Sequence, residues 1–220
     1  MPKAVSVGVQ AADLGWLAEA VAGLAEAGAE RLHFDVMDGV FVPRLMGGAE
    51  LFAALRRVTD LPLDVHLMTA HPERHVAAFE GADRITVHAE ATPHLHRALV
   101  EAERLGARPG VALLPGSHLS GAMGVIGAVE HVLLVAVDPG FPGARFVPAV
   151  LQKARRLKEK LRELGKEGIA VGVDGGVSLE NLAAIGEVAD FVVSGSAVMK
   201  DPGPEANLRR FYAILEGGKA

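Results

Sequence analysis

The stretch Leu32-His33-Phe34-Asp35-Val36-Met37-Asp38-Gly39 places two ionisable side chains, two residues apart, inside an apolar run that ends in glycine. Side chains on a strand alternate faces, so His33 and Asp35 point the same way. Burying both is costly unless they are paired or hold a cation. A pair of satisfied polar residues at a strand end explains this stretch alone equally well. The balance shifts because Leu63-Asp-Val-His66-Leu-Met68 and Val171-Gly-Val-Asp174-Gly-Gly176 end in the same manner. His33, Asp35, His66 and Asp174 together make two imidazoles and two carboxylates suited to one metal ion.

Working outward, eight β-branched runs recur: Ala4–Val9, Arg31–Asp35, Pro62–Leu67, Arg84–His88, Pro109–Leu114, His131–Val137, Ile169–Val173 and Asp190–Ser194. Between them, Leu14–Ala27, Ala49–Arg57, Pro93–Leu105, Pro148–Leu164 and Glu205–Leu215 carry apolar residues at helical spacing. Eight strand–helix repeats predict an α/β (β/α)8 TIM barrel, one domain over residues 1–220, with a doubly wound sheet as the alternative. Continuously apolar strands fit parallel pairing in either. Barrel chemistry gathers at the carboxyl ends of strands, where all four candidate ligands fall. They belong to the second, third and seventh barrel strands, so Asp35 and Asp174 approach a bound molecule from different sides, which suggests two-base proton transfer.

Composition narrows the partner. The chain has 220 residues, 50% of them hydrophobic, a formal charge of −5 and no Lys/Arg-rich run, which argues against nucleic acid or an anionic membrane. It contains no cysteine, so any metal must take N and O ligands. The amino terminus shows no secretory h-region, and no apolar run reaches the length of a membrane span. The expectation is a cytoplasmic protein, a homo-oligomer, acting on a small molecule.

Three glycine-bearing loops offer a place for an anion: Asp138-Pro-Gly140-Phe141-Pro142-Gly143, Asp174-Gly175-Gly176 and Ser194-Gly195-Ser196. Each could be only a tight strand-to-helix turn, but three neighbouring loops of one kind favour a phosphate nest. The loop Asp38–Gly48, with Phe41, Pro43 and Gly47-Gly48, is expected to fold over a ligand as a lid. His71, His75, His94, His96, His118 and His131 are assigned surface or hydrogen-bonding roles. His88 and Glu90 repeat the two-apart pattern without matched ligands and are expected to support the site from beneath. Trp16 and Tyr212 read as packing residues, and Lys153–Lys166 as a solvated helix face.

The segments His33–Pro43, Asp64–Met68, Ile85–Glu90, Val137–Gly143, Val173–Val177 and Ser194–Ala197 resemble, in order and spacing, the ribulose-phosphate 3-epimerase family along nearly the whole chain. The resemblance implies one divalent metal (Zn, Mn, Fe or Co) on His33, Asp35, His66 and Asp174, with the two aspartates as acid and base. It implies that Met37 and Met68 line the sugar site, and that Gly143, Gly176, Gly195 and Ser196 hold the phosphate. The remaining glycine-loop residues Gly140, Phe141, Pro142 and Gly175, together with His66, are assigned to substrate binding. Gly8 joins them, standing where the family has a substrate-touching serine. The implied reaction is C3 epimerisation of a ketose phosphate, D-ribulose 5-phosphate to D-xylulose 5-phosphate, through a metal-stabilised enediolate.

The chain departs from the family pattern at Leu114, Val135, Asp138, Pro142, Ala144 and Arg44 as well as Gly8. These positions bear on sugar and phosphate recognition and leave the metal set intact. Epimerisation of another ketose phosphate such as D-allulose 6-phosphate, and a non-catalytic sugar-phosphate-binding barrel, remain as alternatives. Decarboxylase or Schiff-base aldolase chemistry needs a barrel-strand lysine, and none occurs between residues 4 and 152.

Overall fold

The computed structural model describes residues 4–141 and 143–217. The strands are β1 (Ala4–Gly8), β2 (Leu32–Asp38), β3 (Leu45–Met46), β4 (Leu63–Met68), β5 (Arg84–His88), β6 (Arg108–Leu113), β7 (His131–Val135), β8 (Ala170–Asp174) and β9 (Phe191–Ser194). The helices are α1 (Leu17–Glu26), α2 (Ala49–Val58), α3 (Leu95–Arg104), α4 (Ser120–Met123), α5 (Ala149–Glu163), α6 (Leu179–Gly186), α7 (Ser196–Met199) and α8 (Pro204–Leu215). All strands but β3 run parallel, each beside the next in sequence. β1 pairs with both β2 and β9 and so closes the barrel. That closure excludes the doubly wound sheet.

The strands are buried on both faces, and their outward faces are apolar because helices cover them. Val5, Val7, Leu32, Phe34, Val65, Ile85 and Val87 point outward and pack with helix residues such as Leu24, Phe52, Leu99 and Phe211. Inside, Ala112, Leu133, Val135, Phe191 and Val193 form a separate apolar cluster along one wall. Across from it, Ser6, His33, Asp64, His66, Thr86 and His88, on β1, β2, β4 and β5, are buried polar groups, and His131 is a further one at the start of β7. One side of the barrel interior is therefore committed to hydrogen bonding and charge.

Two expectations change in the loop after β2. β2 continues past Asp35 to Asp38 because Met37 and Asp38 pair antiparallel with Met46 and Leu45 of β3. The Asp38 carboxylate accepts the N–H groups of Val40 (2.9 Å), Phe41 (2.8 Å) and Ala70 (2.7 Å), tying both ends of the loop's first half to the strand mouths. These bonds and the β3 pairing hold much of the expected lid against the strand mouths. Gly47 completes the return with φ +77°, where a Cβ would run into the carbonyl of Asp35. Trp16, expected to pack, instead ends a 3-10 turn and is 66% exposed. Tyr212 does pack against the core.

Candidate metal centre and substrate pocket

The register of β2 on β4 sets His33 beside Asp64 and Asp35 beside His66. Asp174 ends β8, two strands beyond β1. One ligand atom from each of His33, Asp35, His66 and Asp174 lies within 4.8 Å of all the others. His33 Nε2 is 3.2 Å from Asp35 Oδ1, and His66 Nδ1 is 3.3 Å from Asp35 Oδ1 and 3.5 Å from Asp174 Oδ2. Despite that proximity, His33 Nε2, Asp35 Oδ1 and His66 Nδ1 are shut off from solvent and make no well-aligned hydrogen bond. Buried polar atoms are rarely left so, and converging unpaired lone-pair atoms are what a cation would satisfy. The donor set, two imidazoles and two carboxylates, fits a divalent transition metal.

Electrostatics favour the charged forms of His33, His66 and Asp35. Burial alone would lower the His33 pKa, but Asp64 and Asp35 beside it hold it well above the usual histidine value. His66 is raised likewise, against burial, by Asp174 and Asp35. Burial pushes the Asp35 and Asp64 carboxyls up, and adjacent His33 more than reverses this, leaving both far below the ordinary carboxylate range. A cation binding here would displace the imidazole protons and take their place beside the carboxylates.

Supporting groups fix the imidazoles. His33 Nδ1 lies 3.2 Å from Asp64 Oδ2, which also accepts the Ser6 hydroxyl at 3.3 Å. With an acceptor on Nδ1, His33 turns its Nε2 lone pair to the metal side. His88 is in direct contact with His66, their Nε2 atoms 2.9 Å apart, so it supports the ligand itself from the side. Gln10 donates to the Asp35 carbonyl at 2.7 Å.

A cavity of about 230 Å³ opens on Asp35 and Asp174. Of the expected substrate residues, Gly8, Met37 and Gly195 line it, joined by Gln10, Ala11, Arg44, Met46 and Val193. Gly8 and Gly195 meet backbone to backbone at its wall, where a Cβ on residue 8 would sit 3.3 Å from the Gly195 Cα. Met68 pairs with Met37 in the strands but is buried outside the cavity lining. Gly175 and Gly176 turn the chain after β8 with φ of +92° and +65°, and Ser196 opens α7. Phe141 is exposed and lines a different cavity, of about 300 Å³, with Phe41, Leu114 and Asp138. A Cβ on Gly140 would meet Val42 and Pro43, whereas one on Gly143 would meet no described atom within 4 Å. Pro142 lies outside the described residues.

Sequence reasoning passed over Asp64, although Asp64-Val-His66 shows the same two-apart signal as His33-Phe-Asp35. It also passed over Gln10, whose partner is 25 residues away and leaves no local pattern. The other histidines stay outside the centre, and His131 is buried against Thr86 at 2.7 Å. Lys153, expected on a solvated face, reaches in to donate to the carbonyls of Leu114 and Pro115 at 2.8 and 2.7 Å.

The sequence matches the ribulose-phosphate 3 epimerase family over residues 4–199. It is 41% identical over 197 residues to the ribulose-phosphate 3-epimerase of Bacillus subtilis (strain 168), covering 88% of this chain and 91% of that one. It is 34% identical to the Aquifex aeolicus enzyme of the same name over 97% of both chains. The chloroplastic ribulose-5-phosphate-3-epimerase of Arabidopsis thaliana is 42% identical, covering 88% of this chain and 70% of its own. Among solved structures, KGPDC from Streptococcus mutans superposes with a TM-score of 0.74 at 17% identity over the full length of both chains, a likeness of fold alone. With nearly the whole barrel matched, at identities far above those of that structural neighbour, the chain belongs to the ribulose-phosphate 3-epimerase family.

Proposed function

We propose that this protein is an isomerase that interconverts D-ribulose 5-phosphate and D-xylulose 5-phosphate by carrying the C3 proton between Asp35 and Asp174. The observation that carries the reading is the convergence of four ligand side chains, three of their ligand atoms buried and unpaired, on one cavity holding both carboxylates. A divalent cation held there by His33, His66, Asp35 and Asp174 supplies positive charge against the negative charge that develops on the ketose oxygens as C3 loses its proton. Asp35 and Asp174 reach the cavity from β2 and β8, with β1 and β9 between them. One carboxylate takes the proton from one face of C3, and the other returns a proton to the opposite face. Met37 and Met46 present polarizable, uncharged walls that limit water around the planar intermediate.

We place the phosphate at the turns bearing Gly175, Gly176, Gly195 and Ser196, where backbone N–H groups can approach it. Arg44, on the cavity lining, is a cation within reach of the same ligand. The formal charge of −5 argues against nucleic acid as the partner, and a small anionic substrate then needs the local trap that these turns and Arg44 offer. No described helix is long and apolar enough to cross a membrane. The same reading makes the chain one domain, working in the cytoplasm as a homo-oligomer. Exposed Val40, Leu45 and Phe141 are apolar surface that association would cover.

The departures at Gly8 and Arg44 favour testing a second substrate alongside the first. Metal-loaded protein assayed with D-ribulose 5-phosphate and D-allulose 6-phosphate should give the higher kcat/KM with the pentulose. A preference for the hexulose moves the assignment, and no turnover of either ends it.

A further inference from the structure

His88 stands at the end of β5, fully buried, its ring stacked on that of His66 with centroids 4.9 Å apart and planes 23° apart. Their Nε2 atoms are 2.9 Å apart, and two ring nitrogens at that distance share one proton, so one donates and the other accepts. The other nitrogen of His88 decides which. Its Nδ1 faces Glu90 Oε2 at 3.3 Å, and an ionised carboxylate can only accept. Glu90 is itself fixed from the far side, its Oε1 accepting the Leu114 N–H at 2.8 Å. Lys153 holds the same turn through the Leu114 and Pro115 carbonyls, and Phe41 covers the open face of His88 at 4.9 Å.

With its one ring proton given from Nδ1 to Glu90, His88 has a bare Nε2. His66 must then keep its own proton on Nε2, and its Nδ1, the atom facing Asp35 and Asp174, is the one left with a lone pair. We propose that Glu90, acting through His88, is a positioning residue that sets the tautomer of His66 and so holds His66 Nδ1 ready for the metal. The proposal rests on the metal reading of the preceding section and assigns a role to two residues outside the ligand set.

Glu90→Gln is nearly isosteric but presents an amide NH2 that can donate to His88 Nδ1. His88 then carries its proton on Nε2 and gives it to His66 Nε2, which forces the His66 proton onto Nδ1. Metal affinity, read by chelator competition with Zn²⁺ or Mn²⁺, should fall ~10- to 100-fold. In imidazole ¹⁵N spectra of the Zn²⁺-loaded wild type, His66 should show Nε2–H, and His88 should show Nδ1–H with a bare Nε2. That second measurement needs no variant. An opposite tautomer on His88, or a Glu90→Gln protein with wild-type metal affinity, overturns the proposal while leaving the metal site standing. A wild-type protein that binds neither metal overturns the metal reading and this proposal with it.

Discussion

Replacing Asp174 with Asn tests the two-sided proton transfer most closely. The change keeps the side chain's shape and leaves Asp35 between His33 Nε2 at 3.2 Å and His66 Nδ1 at 3.3 Å. It removes one of the two carboxylates at the pocket and with it one proton acceptor. Losing a general acid or base costs ~10²- to 10⁴-fold, or about 3–5.5 kcal/mol of transition-state stabilisation, in both directions of epimerisation. Asp35 can still take the C3 proton from the epimer that presents it on that side. Incubated separately in D2O and followed by proton NMR, one epimer should exchange its C3 hydrogen without epimerising, and the other should do neither. Asp35→Asn should give the converse pattern. Exchange of the same epimer by both variants, or turnover by either at the wild-type rate, refutes the assignment of one base to each face.

Two further predictions probe the barrel interior. A Cβ on Gly172 would overlap the Phe191 ring, which is packed edge-on to His131 and carries the Arg84 guanidinium at 5.2 Å. Gly172→Ala should therefore lower the unfolding free energy by ~1–3 kcal/mol in urea titrations, and an unchanged midpoint would show that this layer is loosely packed. His131, buried at the start of β7, has its pKa taken down by burial, against the pull of Asp64, from 6.5 to about 3. Between those values the unfolded chain binds the proton and the folded chain does not, so this residue's contribution to stability falls as pH falls. Relative to His131→Gln, the wild type should lose about 1.4 kcal/mol per pH unit below 6.5. A pH-independent difference between pH 7 and 5 would contradict a neutral buried His131.

The eight barrel strands were legible because both their faces are buried, which leaves short β-branched runs that few other elements produce. α4, α6 and the two-residue β3 were not, since so few residues carry no period. The extension of β2 to Asp38 depends on chain returning from residues 45 and 46, a pairing that local sequence does not encode. Within the site, residues two apart on one strand announced themselves, as His33 and Asp35 did. The Gln10 hold on Asp35 and the His88 contact to His66 join different strands and loops, and only the pairing of neighbouring strands brings them together. Trp16 misled because its spacing matched the helix that begins one residue later, while its own turn projects it into solvent.

The central claim is that one cation is gripped by two histidines and two aspartates. Anomalous diffraction from crystals of the Mn²⁺- or Zn²⁺-loaded protein measures that directly. The account predicts one ion per chain, ~2.0–2.2 Å from His33 Nε2, His66 Nδ1 and a carboxylate oxygen of each of Asp35 and Asp174. An ion bound elsewhere, or one that leaves either aspartate out of reach, would contradict it.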